Sequence, residues 1–232
     1  MIRAVAFCPH PPLLVPEVAQ GAAGELADLR AACRTAIRRA AAAADEILVL
    51  GSGTRWQQHP STARGSLAPY GVPVEIPLGS DEPGPVELPL SLTIGAWLLN
   101  DALGPNCGAT GWSVGTTDDG EPARLEPSDD RPRALIVMGD GSARRSTTAP
   151  GYFDERAAAF DGWIVAALRS GEADRLHPSP SIEVGEQLLA AGTRVWDAAA
   201  GMLEGPLWDA ELHYEAAPYG VGYFVAAWTR GV

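Results

Sequence analysis

The stretch "EILVLGSGT" (Glu46–Thr54) decides the fold. It is a short apolar run rich in branched side chains and closed by a glycine-containing turn, which is the pattern of a buried strand and its exit. Upstream, "IRAVAF" (residues 2–7) is a second short β-leaning run. Between them, from Gly24 to Ala44, Leu26, Leu29, Cys33, Ile37 and Ala40 recur on one helical stripe, with Arg34, Arg38 and Arg39 off it. Strand, helix and strand at this spacing form a βαβ unit, whose two strands run parallel.

Reading outward, residues 52–72 form a polar loop and "VPVEIPL" (72–78) an edge strand, since its prolines exclude a central place. Residues 89–103 predict a buried helix, 110–115 a short strand, and 116–133 a proline-rich surface loop. "ALIVMG" (134–139) is a central strand. Helices are expected over 152–170 and 180–203, and "GVGYFVAAWTR" (220–230) closes the sheet. The class is α/β: one domain over residues 1–232, three layers, helices on both faces of a largely parallel or mixed sheet.

The 232 residues include 26 glycines and 20 prolines, and apolar types make up 46%. That suits one core with many turns. All 17 basic residues are arginine, and the net charge of −12 argues against nucleic acid and against an anionic membrane surface. No apolar run reaches the roughly 20 residues of a membrane helix. No secretory leader pattern opens the chain. Three cysteines without zinc spacing (Cys8, Cys33, Cys107) point to reduced thiols, hence to a cytoplasmic setting.

In sheets of this kind ligands sit beyond the C-terminal strand ends. Three such ends carry distinctive sequence: "CPHPP" (8–12), "GSGTR" (51–55) and "GDGSARRS" (139–146). His10 is held among prolines, a preorganisation that suits a metal ligand. Glu186 sits on an expected helix capped by Ser179 and Pro180, between Ile182 and Leu189, so its carboxylate should leave an apolar face and need a partner. Glu183 is expected in solvent. The glycine turns offer backbone N–H groups for an anion. Ser52, Gly53, Arg55, Asp140, Ser142 and Arg144 are then the ligand-binding candidates. His177, His213 and the seven tryptophans are read as surface or packing residues, and Glu215 as a polar residue near a strand end.

"PHPPLLVPEV", "GDGS", "AFDGWIVAALRSGEADRL", "GEQLLAAGTRVWDAAAGML" and "YEAAPYGVGYFVAAW" resemble the LigB-like superfamily, the class III extradiol ring-cleavage dioxygenases, in blocks over nearly the whole chain. The resemblance implies a non-haem Fe(II) held by two histidines and a glutamate, open to a catecholic substrate and dioxygen, with a further histidine as acid/base. Two imidazoles and one carboxylate leave room for both reactants. His10 falls on the first ligand and Glu186 on the carboxylate ligand. The second histidine is missing, because its place reads Ser52-Gly53; His59 is its possible substitute. The acid/base position is Ala143, which moves no proton. Another frequent Asp-His-Gly run aligns with Pro89-Leu90-Ser91.

Three functions are therefore expected of such a chain. It is a divergent homologue with lost or altered catalysis, acting as a partner subunit, homo-oligomer or binder of an aromatic or anionic small molecule. Or it is an active dioxygenase with Fe(II) on His10, His59 and Glu186. Or it uses the same cleft without iron, as an enzyme of another class or as a binder of a small anion on the Gly/Ser/Arg strand-end loops.

Overall fold

A computed structural model describes residues 1–115, 131–177, 182–203, 205 and 207–230. β1 (Ile2–Cys8), β2 (Glu46–Ser52), β6 (Thr110–Val114) and β7 (Arg133–Met138) are four of the expected strands, and they lie parallel in the order β6-β2-β7-β1. Their apolar runs are uninterrupted because both faces are covered. β7 is buried from Ala134 to Met138. Antiparallel strands complete the seven-stranded sheet: β3 (Gln57–His59) beside β6, β9 (Tyr223–Thr229) beside β1, and β8 (Asp209–Ala216) beside β9. The sheet is mixed.

One face is covered by α2 (Ala27–Ala41) and α3 (Leu90–Leu103), the other by α4 (Ala157–Ser170) and α6 (Thr193–Met202). α2 buries Leu29, Cys33, Ala36, Ile37 and Ala40, the stripe read from the sequence. It begins at Ala27; after one α-turn, α1 (Pro16–Ala19), residues Gln20–Leu26 wind as 3-10 helix. Arg34 grips Asp101 of α3 with a 2.8 Å contact. α3 sits tightly on the sheet at Gly95, where an added Cβ would come 3.0 Å from Val49 and 3.3 Å from Met138.

Four expectations differ in detail. The loop over 52–72 contains β3 and β4 (Arg64–Ser66). The edge strand is β5 (Glu75–Pro77), which pairs with β4 in a separate two-stranded sheet rather than with the main one. The helix over 152–170 begins only at Ala157, after turns. The long helix over 180–203 is two, α5 (Ile182–Gln187) and α6, because the backbone between them is committed to the end of β7. Ala143 N–H donates to Leu188 O at 3.2 Å and Gly192 N–H to Asp140 O at 2.9 Å. The proposed caps Ser179 and Pro180 lie outside the described residues, as does most of the expected loop 116–133.

Candidate functional site

His10 and Asp140 meet just beyond the ends of β1 and β7. Cys8 of β1 pairs with Met138 of β7, and two residues further on the same register sets His10 beside Asp140. Phe7 pairs with Ala226 of the antiparallel β9, but beyond Cys8 the start of β9 bonds to the end of β7 instead: Gly141 N–H donates to Gly222 O at 2.8 Å and Gly222 N–H to Ser142 O at 2.9 Å, beside Tyr223. Alternation puts Asp140 on the face that carries Cys8, Met138 and Tyr223, the face covered by α2. β1 departs through α2 on that face, while β7 departs through α4 and α6 on the other. The crevice between them is a topological switch point, where open α/β sheets bind ligands.

The backbone N–H of His10 donates to Asp140 Oδ1 at 2.7 Å, which turns the proline segment towards β7. His10 Nδ1 is 3.6 Å from the same oxygen, enclosed and without a hydrogen bond. Nε2 is not enclosed and bonds to no described residue. The His10 side chain is 7% exposed and that of Asp140 14%. Burial raises the Asp140 carboxyl above its ordinary value, against the opposing pull of His10. The Tyr223 phenol is also pushed up, first by burial and then by the Asp140 charge, so it is a neutral O–H donor at any working pH. Its oxygen likewise bonds to no described residue and is not enclosed. Behind them Cys33, buried against Cys8, is held protonated by that burial and by the neighbouring thiol.

The other candidates fall elsewhere. Glu186 is exposed and its carboxylate accepts from Arg194 Nε at 2.6 Å. α5 turns Gly185 inward instead and leaves Leu189 exposed at a φ of 55°, so Glu186 does not leave an apolar face as expected. Exposed Glu183 is as expected. His59 is level with Gly111, Val49, Ile136 and Ala6 in turn, which places it four strands from β1. At about 4.8 Å per strand that is about 19 Å. Its Nε2 is 3.1 Å from Ser113 Oγ and its Nδ1 3.5 Å from Glu87, and burial lowers its pKa.

Ser52 accepts a 2.6 Å bond from Ser91 on its carbonyl, and Gly53 N–H donates to Val114 O at 2.9 Å. Arg55 is exposed and reaches Gln57. Ser142 is fully buried, its hydroxyl donating to Leu188 O at 2.9 Å. The anion cradle expected of "GDGSARRS" is not formed, because its N–H groups are spent inside the protein. Those of Gly141, Ser142, Ala143 and Arg145 donate to Gly222 O, Asp161 Oδ1, Leu188 O and Gly220 O. Arg144 turns its N–H back to Ser142 Oγ, and its Nε is enclosed without a hydrogen-bond partner.

The residues present do not fit the Fe(II) site that the resemblance implies. Ligands of one ion lie roughly 3–4 Å apart, and His10, His59 and Glu186 are not so placed. Among the described residues no three His, Cys, Asp or Glu side chains are grouped to hold a metal ion.

Two groups escaped the sequence reading. Tyr223 reads as one aromatic in a closing strand, and only the sheet order brings it near Asp140, whose charge acts on its phenol. Asp161, the single charge in "AFDGWIVAAL", had a signal: an acid amid apolar helix residues needs a partner. It holds the 140s loop through Ser142 N–H at 2.8 Å and Arg145 at 2.6 Å. Gly141 and Gly222 admit it, since a Cβ on either would come within 2.7 Å or 2.3 Å of its oxygens. Compared with known proteins, the chain matches no protein-family model and no curated protein.

Proposed function

We propose that this chain binds a small, mainly uncharged molecule at the β7–β1–β9 crevice, on a dioxygenase-like architecture without iron-dependent ring opening. The observation that carries this reading is the about 19 Å between the strand positions of His59 and β1. Glu186 bonded to Arg194 points the same way. Uncharged ligands suit the crevice because Asp140 supplies negative charge and the neighbouring loop has spent its N–H donors. The Asp140–His10 pair and the Tyr223 hydroxyl would bind and orient the molecule. A cytoplasmic setting and assembly with itself or a partner subunit belong to the same proposal. The unpaired thiols Cys8, Cys33 and Cys107 suit the first.

The test is purification without oxygen, addition of Fe(II), metal analysis, and a catechol assay read by the yellow ring-opened product. We expect substoichiometric iron and no product. Stoichiometric iron that is lost in both His10→Ala and Glu186→Ala, with product formed, overturns the reading.

A further inference from the structure

We infer that the turn over residues 150–153 and the end of α5 form a two-fold contact surface for a second copy of this chain. The inference rests on the assembly named in the reading above and specifies its partner; it makes no use of the ligand.

Among the described residues five non-glycine positions have positive φ. Three of them, Tyr152 at 61°, Leu189 at 55° and Tyr219 at 58°, carry large apolar side chains that stand exposed. A left-handed backbone is disfavoured for bulky side chains and persists where the surroundings over-determine it. Backbone bonds fix the chain here. Gly151 N–H donates to Ala143 O and Tyr152 N–H to Ala149 O, both at 2.9 Å, and Leu189 N–H donates to Glu186 O at 2.9 Å. Tyr219 is held by its hydroxyl, which donates to Glu25 Oε2 at 2.6 Å. The segments also touch. A Cβ on Gly151 would come 2.7 Å from Leu189 Cδ1 and 2.8 Å from Arg144 Cγ, so Leu189 and Arg144 lie against the turn that carries Tyr152 and Phe153. Arg156 Nη1 donates to Gln187 of α5 at 3.1 Å and ties the same segments together. Gly220, next to Tyr219, borders the turn as well, since a Cβ there would come 2.5 Å from that of Ala149.

Tyr152 is 65% exposed and Phe153 52%. At roughly 150–250 Å² per aromatic side chain, these two and Tyr219 hold about 300 Å² in water. Monomers tolerate a patch of that size, so the fixed left-handed backbone, and not area, singles this one out. A stable dimer buries about 800 Å² on each side, around a centre rich in aromatics and arginine. This surface has the size and composition of such a centre, and its fixed backbone lowers the entropy cost of contact. Charge selects the occupant. Asp154 pairs with Arg156, and Glu186 with Arg194. The Arg144 guanidinium and exposed Glu155 make no ion pair with a described residue. One surface therefore presents an unmatched cation and an unmatched anion. A net charge of −12 keeps copies apart, so a contact between them needs a matched cation. In a two-fold contact Arg144 of each copy faces Glu155 of the other, and the surface completes itself.

Sedimentation velocity of the full chain over a range of micromolar concentrations reads the assembly. The expected species is a dimer. Tyr152→Ser and Phe153→Ser, both checked for native circular dichroism, should each raise its dissociation constant about 10²-fold, since a roughly tenfold loss acts once in each copy. Leu189→Gly should weaken the dimer without lowering the urea midpoint of the dilute monomer, because glycine accepts the left-handed backbone. Arg144→Glu and Glu155→Arg should each be monomeric. An equimolar mixture of these two variants should form the dimer again, because the mixed pair restores both reciprocal contacts. A chain that is monomeric at every concentration overturns the inference, even where a different protein is captured on the surface. So does a dimer indifferent to Tyr152→Ser and Phe153→Ser, or a mixture that stays monomeric. Iron and ring-opened product decide the ligand-binding reading separately. Their absence from a monomer sinks this inference alone, and their presence in a dimer sinks that reading alone.

Discussion

Two aspartates reach the same strand-end loop from opposite faces of the sheet, and they differ in what they have left to give. Asp161 comes from α4, is 1% exposed, and spends its oxygens on Ser142 N–H and the Arg145 guanidinium. Asp140 stands on the loop itself, accepts one backbone N–H from His10, and faces an imidazole nitrogen without bonding it. Burial raises both carboxyls. Perturbation therefore does not separate structural from functional groups here. Unspent hydrogen-bonding capacity does. The two buried histidines repeat the lesson. Each leaves Nδ1 near a carboxylate without a hydrogen bond, but His59 Nε2 meets Ser113 whereas His10 Nε2 bonds to no described residue.

Removing the spent partner should hurt most. Asp161→Ala strands the buried end of Arg145 and the Ser142 N–H, and should cost about 3 kcal/mol in urea unfolding. A cost below about 1 kcal/mol would remove its role as the clamp. His59→Ala should follow, at about 1–3 kcal/mol, from the buried packing and the Ser113 bond lost. Asp140→Ala should cost about 1 kcal/mol, since only the His10 N–H loses an acceptor. If Asp140→Ala proves as damaging as Asp161→Ala, the contrast between the two carboxylates fails.

The smallest effect concerns half-buried Asp154, whose carboxyl Arg156 pulls down to about 2. A lowered carboxylate stabilises the fold above its unfolded pKa and loses that contribution as acid protonates the folded form. The urea midpoint should therefore fall slightly as pH drops from about 4 to about 2, and Asp154→Ala should flatten that slope.

The sheet was legible because parallel buried strands leave continuous apolar runs, as in β1, β2 and β7. β8 was not, because "DAELHYEA" is an edge strand with charges on its open positions and little apolar signal. The short β3 and β4 carry no run at all. The split between α5 and α6 was hidden because "AAG" reads as helix, while the break is caused by tertiary bonds to Asp140 and Ala143. At the site, the position of His10 at a strand end was readable. Its partner was not, since Asp140 reaches it only because β7 lies beside β1. Glu186 was misplaced for a related reason: a six-residue helix that stops early does not keep the face that a longer one would.

The position of β1 also governs the order of assembly. It precedes the other described strands in sequence, yet its two neighbours are β7 and β9, both far along the chain from it. Local pairing therefore cannot satisfy its backbone, and its apolar run must wait on a growing chain for contacts of long sequence separation. Until β9 arrives, β1 has an open flank able to accept a foreign strand. The proline segment after Cys8 limits how far such a strand could extend along it. Loss of the last strand would leave that flank open permanently, and the resulting protein would fail by aggregation before it failed by unfolding.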